Sequence, residues 1–125
     1  MIRGLGIAAA ALGATAVMLG AFGAHALHGR VDEGSLQVWR TAVDYQFWHA
    51  LAVLAIAGFA SATPRAWRFG GWIMCIGAFL FSASLYLLAL GAPHALGMLT
   101  PVGGMLLIAG WVVIGYAFWC GAANK

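Results

Sequence analysis

Long apolar runs broken by short polar punctuation set the layout of this chain. The first run extends from about Gly4 to Leu27, with Arg3 in front of it. Polar residues then gather between His28 and Gly34, where Arg30, Asp32 and Glu33 stand close together. Gly34-Ser35 reads as a helix start with Ser35 as N-cap, and Leu36, Trp39, Val43 and Phe47 follow at helical spacing. This second helix is expected to begin outside the hydrocarbon, to enter it near Tyr45 and to end before Pro64. Pro64-Arg-Ala-Trp-Arg68 reads as a polar turn with an interfacial Trp67, and a third helix covers about Phe69 to Gly91. An uncharged connection, Ala92 to Leu99, leads to Thr100-Pro101, a helix start with Thr100 as N-cap. The fourth helix runs to about Gly121. Each run supplies the roughly 20 residues that a bilayer crossing needs. The expectation is an all-α integral membrane protein. It is a compact four-transmembrane-helix bundle with short loops, one domain over residues 1–125, with spans near 4–27, 43–62, 69–91 and 100–121.

Small residues recur within these runs every seven positions. Gly6, Gly13 and Gly20 mark the first helix, with Ala9, Ala16 and Gly23 alongside. Gly70, Gly77, Ser84 and Gly91 mark the third, and Gly103, Gly110 and Ala117 the fourth. In lipid, where no hydrophobic force draws helices together, such stripes let backbones approach closely. They are expected to be packing faces. A fainter likeness between Gly23-Ala-His-Ala-Leu27 and Gly91-Ala-Pro-His-Ala-Leu96 suggests a duplicated helix pair.

Composition agrees with a lipid solvent. Hydrophobic residues make up 64% of the 125 and charged ones 7%, far below the roughly 25% of soluble domains. The net charge of +3 is spread over segment ends without a basic run, so no nucleic-acid role is expected. Four spans put both termini on one face, with Arg3, Arg65, Arg68 and Lys125 there against Arg30 and Arg40 opposite. That asymmetry favours cytoplasmic termini in an inner (plasma) membrane. Ala24-His-Ala26 resembles a signal-peptidase site, but the apolar run before it exceeds the roughly 7–15 residues of a signal core. The first helix is therefore expected to be kept. Cys75 and Cys120 lie in apolar runs without a C-x-x-C pattern and read as inert thiols.

Polar chemistry runs furthest into the apolar chain between Arg40 and Leu51. Arg40 and Asp44 stand four apart and can pair; Tyr45 and His49 have the same spacing. With Gln46, and with His25 at the end of the first helix, they form the candidate polar cluster. An interfacial ion pair that seats the helix is one reading, and ionisable groups at membrane depth marking a site is the other. His25 and His28 at i,i+3, or His25 and His49 on two helices, would permit a metal or a bis-histidine haem, but no Cys or carboxylate set accompanies them. No cofactor, metal or catalytic residue is expected. Nucleotide, phosphate-loop and zinc-protease motifs are missing. Ser82, Ser84 and Tyr86 read as hydrogen-bonding groups between helices rather than nucleophiles. Thr100-Pro-x-Gly-Gly104 reads either as an N-cap with packing glycines or as an unwound start lining a site.

Four stretches together resemble a known pattern. They are Leu19-Gly-Ala-Phe-Gly-Ala-His-Ala-Leu27, Trp39-x-Thr-Ala-Val-x-Tyr-Gln-x-x-His-Ala-Leu51, Leu80-Phe-Ser-x-Ser-Leu-Tyr86 and Leu96-Gly-x-x-Thr-Pro-x-Gly-Gly104. In this order they resemble the small bacterial membrane proteins called domain of unknown function 423, similar to transmembrane protein 256 of animals. Ala83 departs from the Ser-Gly-Ser form of the third stretch. The resemblance implies a four-span inner-membrane protein and brings no catalytic residues with it. Three functions stay open: a non-enzymatic structural or accessory protein, a small transporter or ion-conducting protein using the Arg40–His49 face, and a histidine-ligated metal or haem protein. The bilayer is the expected partner, and a second copy or another membrane protein is left open.

Overall fold

The computed structural model describes residues 2–59 and 65–123. They form α1 (Ile2–Phe22), a π turn (Gly23–Leu27), α2 (Glu33–Phe59), α3 (Arg65–Ala89), a 3-10 turn (His94–Met98) and α4 (Leu99–Ala123). The described residues contain no strand. The protein is an all-α membrane protein of four helices. Arg3–Leu27, Arg65–Ala89 and His94–Cys120 are each long and apolar enough to cross a bilayer. The 27 residues of α2 match that length, but Arg40, Asp44, Gln46 and His49 interrupt its apolar character. Large apolar side chains such as Ile7, Phe79, Ile108 and Trp119 stand more than half exposed, an arrangement suited to lipid.

Helix ends correct several boundaries. Asp32, not Ser35, caps α2. Its carboxylate accepts the Ser35 amide at 2.9 Å and the Ser35 hydroxyl at 2.7 Å, because a carboxylate three positions ahead reaches the first free N–H groups. These bonds hold the Asp32 carboxyl below its ordinary 3.8. The cap's contribution is therefore complete above that value and fades only as pH falls through the lowered one. Thr100 does not cap α4 either. The 3-10 turn carries the chain into a helix that begins at Leu99, so the Thr100 hydroxyl is free to meet Ser84 at 2.7 Å. Pro101 still sits in the first turn, where its missing N–H costs no bond. Arg65 to Arg68 belong to α3, and Trp67 is buried against Phe118 with ring centroids 4.3 Å apart rather than lying free at the interface. The expected end of α2 before Pro64 falls outside the described residues.

Gly91 ends α3 instead of packing. With φ of +88° it lets its own N–H reach the Leu88 carbonyl at 3.0 Å and that of Ala92 reach Leu87 at 2.9 Å. The two loops likened above differ in conformation, a π turn in one and this glycine turn with a 3-10 segment in the other.

The other stripe positions organise two antiparallel hairpins. In the first, Gly6, Gly13 and Gly20 of α1 face Ala57, Ala50 and Val43 of α2, one after another in register. In the second, Gly70, Gly77, Gly103 and Gly110 each face a larger residue across the α3–α4 seam: Ile114, Leu107, Phe81 and Met74. Ser84 continues that seam through its bond to Thr100. The seams differ in closeness. A Cβ on Gly13 would stand 3.8 Å from Ala50, whereas one on Gly103 would stand 2.5 Å from the Phe81 nitrogen and one on Gly77 2.9 Å from that of Leu107.

The hairpins join through α2 and α3, so the bundle is open. Among the described residues, α1, α2 and α3 touch one another, while the backbone of α4 approaches α3 alone among the helices. Two apolar clusters fill it. One runs from Leu5 and Ile56 through Met74 and Ala78 to Leu107; the other gathers Leu27, Leu36, Trp39 and Ala89.

Backbone contacts cannot yield as side chains do, so Gly103→Ala and Gly77→Ala should each lose about 1–3 kcal/mol. Gly13→Ala should change stability by less than about 1 kcal/mol, because ordinary contact remains. Melting temperatures in detergent check this, and equal shifts for all three would contradict the difference between the seams.

Candidate functional site: a buried amide shared by three helices

The polar cluster divides over three faces of α2. Arg40 and Asp44 are exposed on its outer side, and no salt bridge joins them among the described residues. The i,i+4 spacing permits that pair, but spacing alone does not hold two exposed side chains together. His25 is exposed on the π turn and takes no side-chain hydrogen bond among the described residues. Gln46 and His49 are buried, 5% and 7% exposed, and Tyr45 is about one-third exposed between them and the lipid.

Gln46 turns toward α1 and α3. Its Nε2 donates to the Leu12 carbonyl at 2.9 Å and to the Thr15 hydroxyl at 2.7 Å. The Tyr86 hydroxyl of α3 donates to Gln46 Oε1 at 2.8 Å. A carbonyl only accepts, so the Leu12 bond fixes which end of the amide is nitrogen. Thr15 in turn donates to the Ala11 carbonyl at 2.7 Å. Every polar hydrogen of Gln46, Thr15 and Tyr86 is thus engaged. In lipid an unpaired amide would be expensive, which makes these partners structurally important. A chamber of about 230 Å³ lies against the same three residues, lined also by Leu12, Leu19, Phe79 and Ala83.

Two further bonds brace this junction. Trp39 donates its indole N–H to the Leu19 carbonyl at 2.8 Å, and its ring packs on Tyr86 at 4.5 Å. Gly23 lies so close to this indole that an added Cβ would stand 2.5 Å from it. The π turn begins at that glycine, and its wider coil also buries Leu27 in the cluster around Trp39. Below them, Ser82 donates to the Ala42 carbonyl at 2.8 Å. Ser82, Ser84 and Tyr86 therefore all bond to a residue on a neighbouring helix.

His49 faces the other way, toward α4. Trp111, at the middle of α4, donates its indole N–H to His49 Nε2 at 3.1 Å. An indole can only donate, so Nε2 is the bare nitrogen and Nδ1–H donates to the Tyr45 carbonyl at 2.7 Å. One tautomer satisfies both partners. Tyr45 stacks on Phe81 with centroids 4.6 Å apart, completing a link from α2 to α3 and α4. Neither imidazole nitrogen keeps a lone pair for a metal while these bonds stand. Among the described residues no group of three or more His, Cys, Asp or Glu is placed to hold a metal ion.

Comparison with known proteins matches this arrangement to a family. Residues 19–104 fit the model described as "Protein of unknown function (DUF423)". The chain belongs to the DUF423 family. The matched stretch includes Gln46, His49, Tyr86 and the Ser84–Thr100 pair, while Leu12, Thr15 and Trp111 lie outside it. The UPF0382 membrane protein of Staphylococcus haemolyticus is 41% identical over 107 residues, covering 82% of this chain and 88% of its own. The UPF0382 membrane protein YwdK of Bacillus subtilis is 42% identical over 106 residues, covering 79% and 82%. No solved structure matches. The resemblance found in the sequence is thus the family of this protein, and its relatives are membrane proteins by name.

Sequence reasoning gathered the polar residues of this DUF423 protein into one cluster but missed their partners on α1 and α4. Leu12 and Leu19 act through backbone carbonyls, which carry no side-chain signal. Thr15, a lone hydroxyl in the apolar α1, was the available clue. Trp111→Phe should leave His49 Nε2 buried without a donor and lower stability by about 1–3 kcal/mol. Nitrogen NMR of labelled histidine should find the Nδ1–H tautomer for His49. An Nε2–H tautomer, or an unchanged melting temperature for the variant, would contradict the link.

Proposed function

We propose that this DUF423 protein crosses the inner membrane four times with both termini in the cytoplasm. It acts as a structural or accessory component without catalytic chemistry. The observation that carries this reading is the use of its buried and half-buried polar groups: Gln46, Thr15, Tyr86, Ser82 and His49 are all engaged in bonds that tie helices together. A catalytic site keeps a nucleophile or base free to meet substrate, and a conduction path needs polar groups that exchange partners along its length. Here the Arg40–His49 segment divides between an exposed charged face and two separate interfaces. Its placement between α1 and α3 supports α2 as the fourth span despite its polar first half, because Gln46 and His49 are covered by helices rather than by lipid.

Topology reporters fused after Pro64 and after Lys125 should both report cytoplasm; a periplasmic signal from either would overturn the four-span arrangement. Proteoliposomes containing the protein should show proton and cation leakage equal to empty vesicles. Flux that rises with protein content and falls in Gln46→Ala or His49→Ala would transfer the function to the conducting alternative.

A further inference from the structure

Between α1 and α3 a lateral crevice of about 450 Å³ opens, lined by Ala8, Ala11, Cys75, Ile76 and Leu80. It shares Leu12, Thr15 and Phe79 with the chamber at Gln46, so the crevice and the chamber beside the buried amide adjoin. Volumes of this order are those of small-molecule sites, which combine apolar walls with a few fixed polar groups. Both flanking helices are apolar enough to span, and Thr15 lies near the middle of the α1 span, so the polar end where crevice and chamber meet sits deep in hydrocarbon.

The hydrogen bonds at that end determine what it can recognise. The Gln46 amide protons go to Leu12 and Thr15, the Thr15 proton goes to Ala11, and the Tyr86 proton goes to Gln46. No donor is left over. Acceptor capacity does remain: a hydroxyl oxygen offers two lone pairs and an amide oxygen two. The Tyr86 oxygen receives no bond among the described residues, and Thr15 Oγ1 and Gln46 Oε1 receive one each. A ligand that presents only acceptors, such as a quinone or ester, meets no complementary group. A ligand with a hydroxyl proton does.

We propose that the α1–α3 crevice binds a lipid-soluble molecule with a hydroxyl head and an apolar body. The hydroxyl donates to Tyr86 or Gln46 in the chamber, and the body lies between Ala8, Ile76 and Phe79. The inference rests on the membrane-embedded reading of the chain. Two sources share the required chemistry, a long-chain alcohol and the hydroquinone form of a lipid quinone.

The test uses the full chain in lipid nanodiscs and a single-chain alcohol carrying a photoactivatable diazirine on its tail. Labelled peptides should come from the crevice helices around Ala8–Thr15 and Cys75–Tyr86. Dodecanol or decylhydroquinone should suppress this labelling at a concentration about tenfold lower than dodecyl methyl ether and decylquinone, which have the same bodies without the proton. The donor that competes better identifies the source. Ala83→Leu, which fills the chamber, should reduce labelling at least about fivefold while the melting temperature stays close to wild type. Tyr86→Phe should reduce the advantage of the donors over their proton-free analogues. Labelling spread evenly over all four helices, equal competition by the proton-free analogues, or full labelling of a folded Ala83→Leu protein would each overturn the proposal. Quenching of tryptophan fluorescence by brominated lipids tests embedding independently: a protein that is quenched but not labelled fails this proposal alone.

Discussion

The structure depends on one side-chain amide placed where water is scarce. Gln46 sits on α2 with α1 on one side and α3 on the other, and its three hydrogen bonds reach both. In an aqueous core such an amide would compete with water and add little. In hydrocarbon its unpaired alternative is worse, so its partners fix where the first three helices stand. Individual interhelical bonds in membranes average only about 0.6 kcal/mol, with the strongest near 1.7. The importance of Gln46 comes from convergence: one residue sets the rotation of α2 against two neighbours at once.

Around that point, close packing supplies what the hydrophobic effect cannot. The α3–α4 hairpin is closed by glycines that admit no Cβ, with backbone against backbone at Gly77 and Gly103. The α1–α2 hairpin is looser, with alanine-sized gaps at Gly6 and Gly13, and there the polar bonds from Gln46 and Trp39 supplement the packing. Two hairpins held by different means thus meet along α2 and α3. Because the backbone of α4 approaches α3 alone among the helices, its bond from Trp111 to His49 spans a gap that no backbone contact closes.

Much of this was legible in the residues. Four helices followed from apolar runs, and small-residue spacing put the glycines of each stripe on one face, because both are periodic along one chain. The seam partners were not, since register between helices is set by contacts far apart in sequence. Asp32 outdoes Ser35 as a cap because its carboxylate, just ahead of the first turn, reaches the Ser35 amide and hydroxyl. Arg40 and Asp44 drew notice as charges, yet they lie on the outer face, while the uncharged Gln46 carries the junction. A helical wheel gives the side of a helix on which a residue lies; it cannot say which neighbour, carbonyl or hydroxyl waits there. The π turn at Gly23 likewise answers to Trp39, sixteen positions on, and has no local signature.

The central claim is that Gln46 couples α2 to α1 and α3 as a unit. A double-mutant cycle on Gln46→Leu and Tyr86→Phe, read by reversible unfolding in detergent micelles, addresses it most directly. Each single change leaves the other partner buried and unmatched, whereas the double removes both sides of one bond. The account predicts that the double variant loses less than the two singles combined, by about 0.5–2 kcal/mol. Losses that add within error would contradict it.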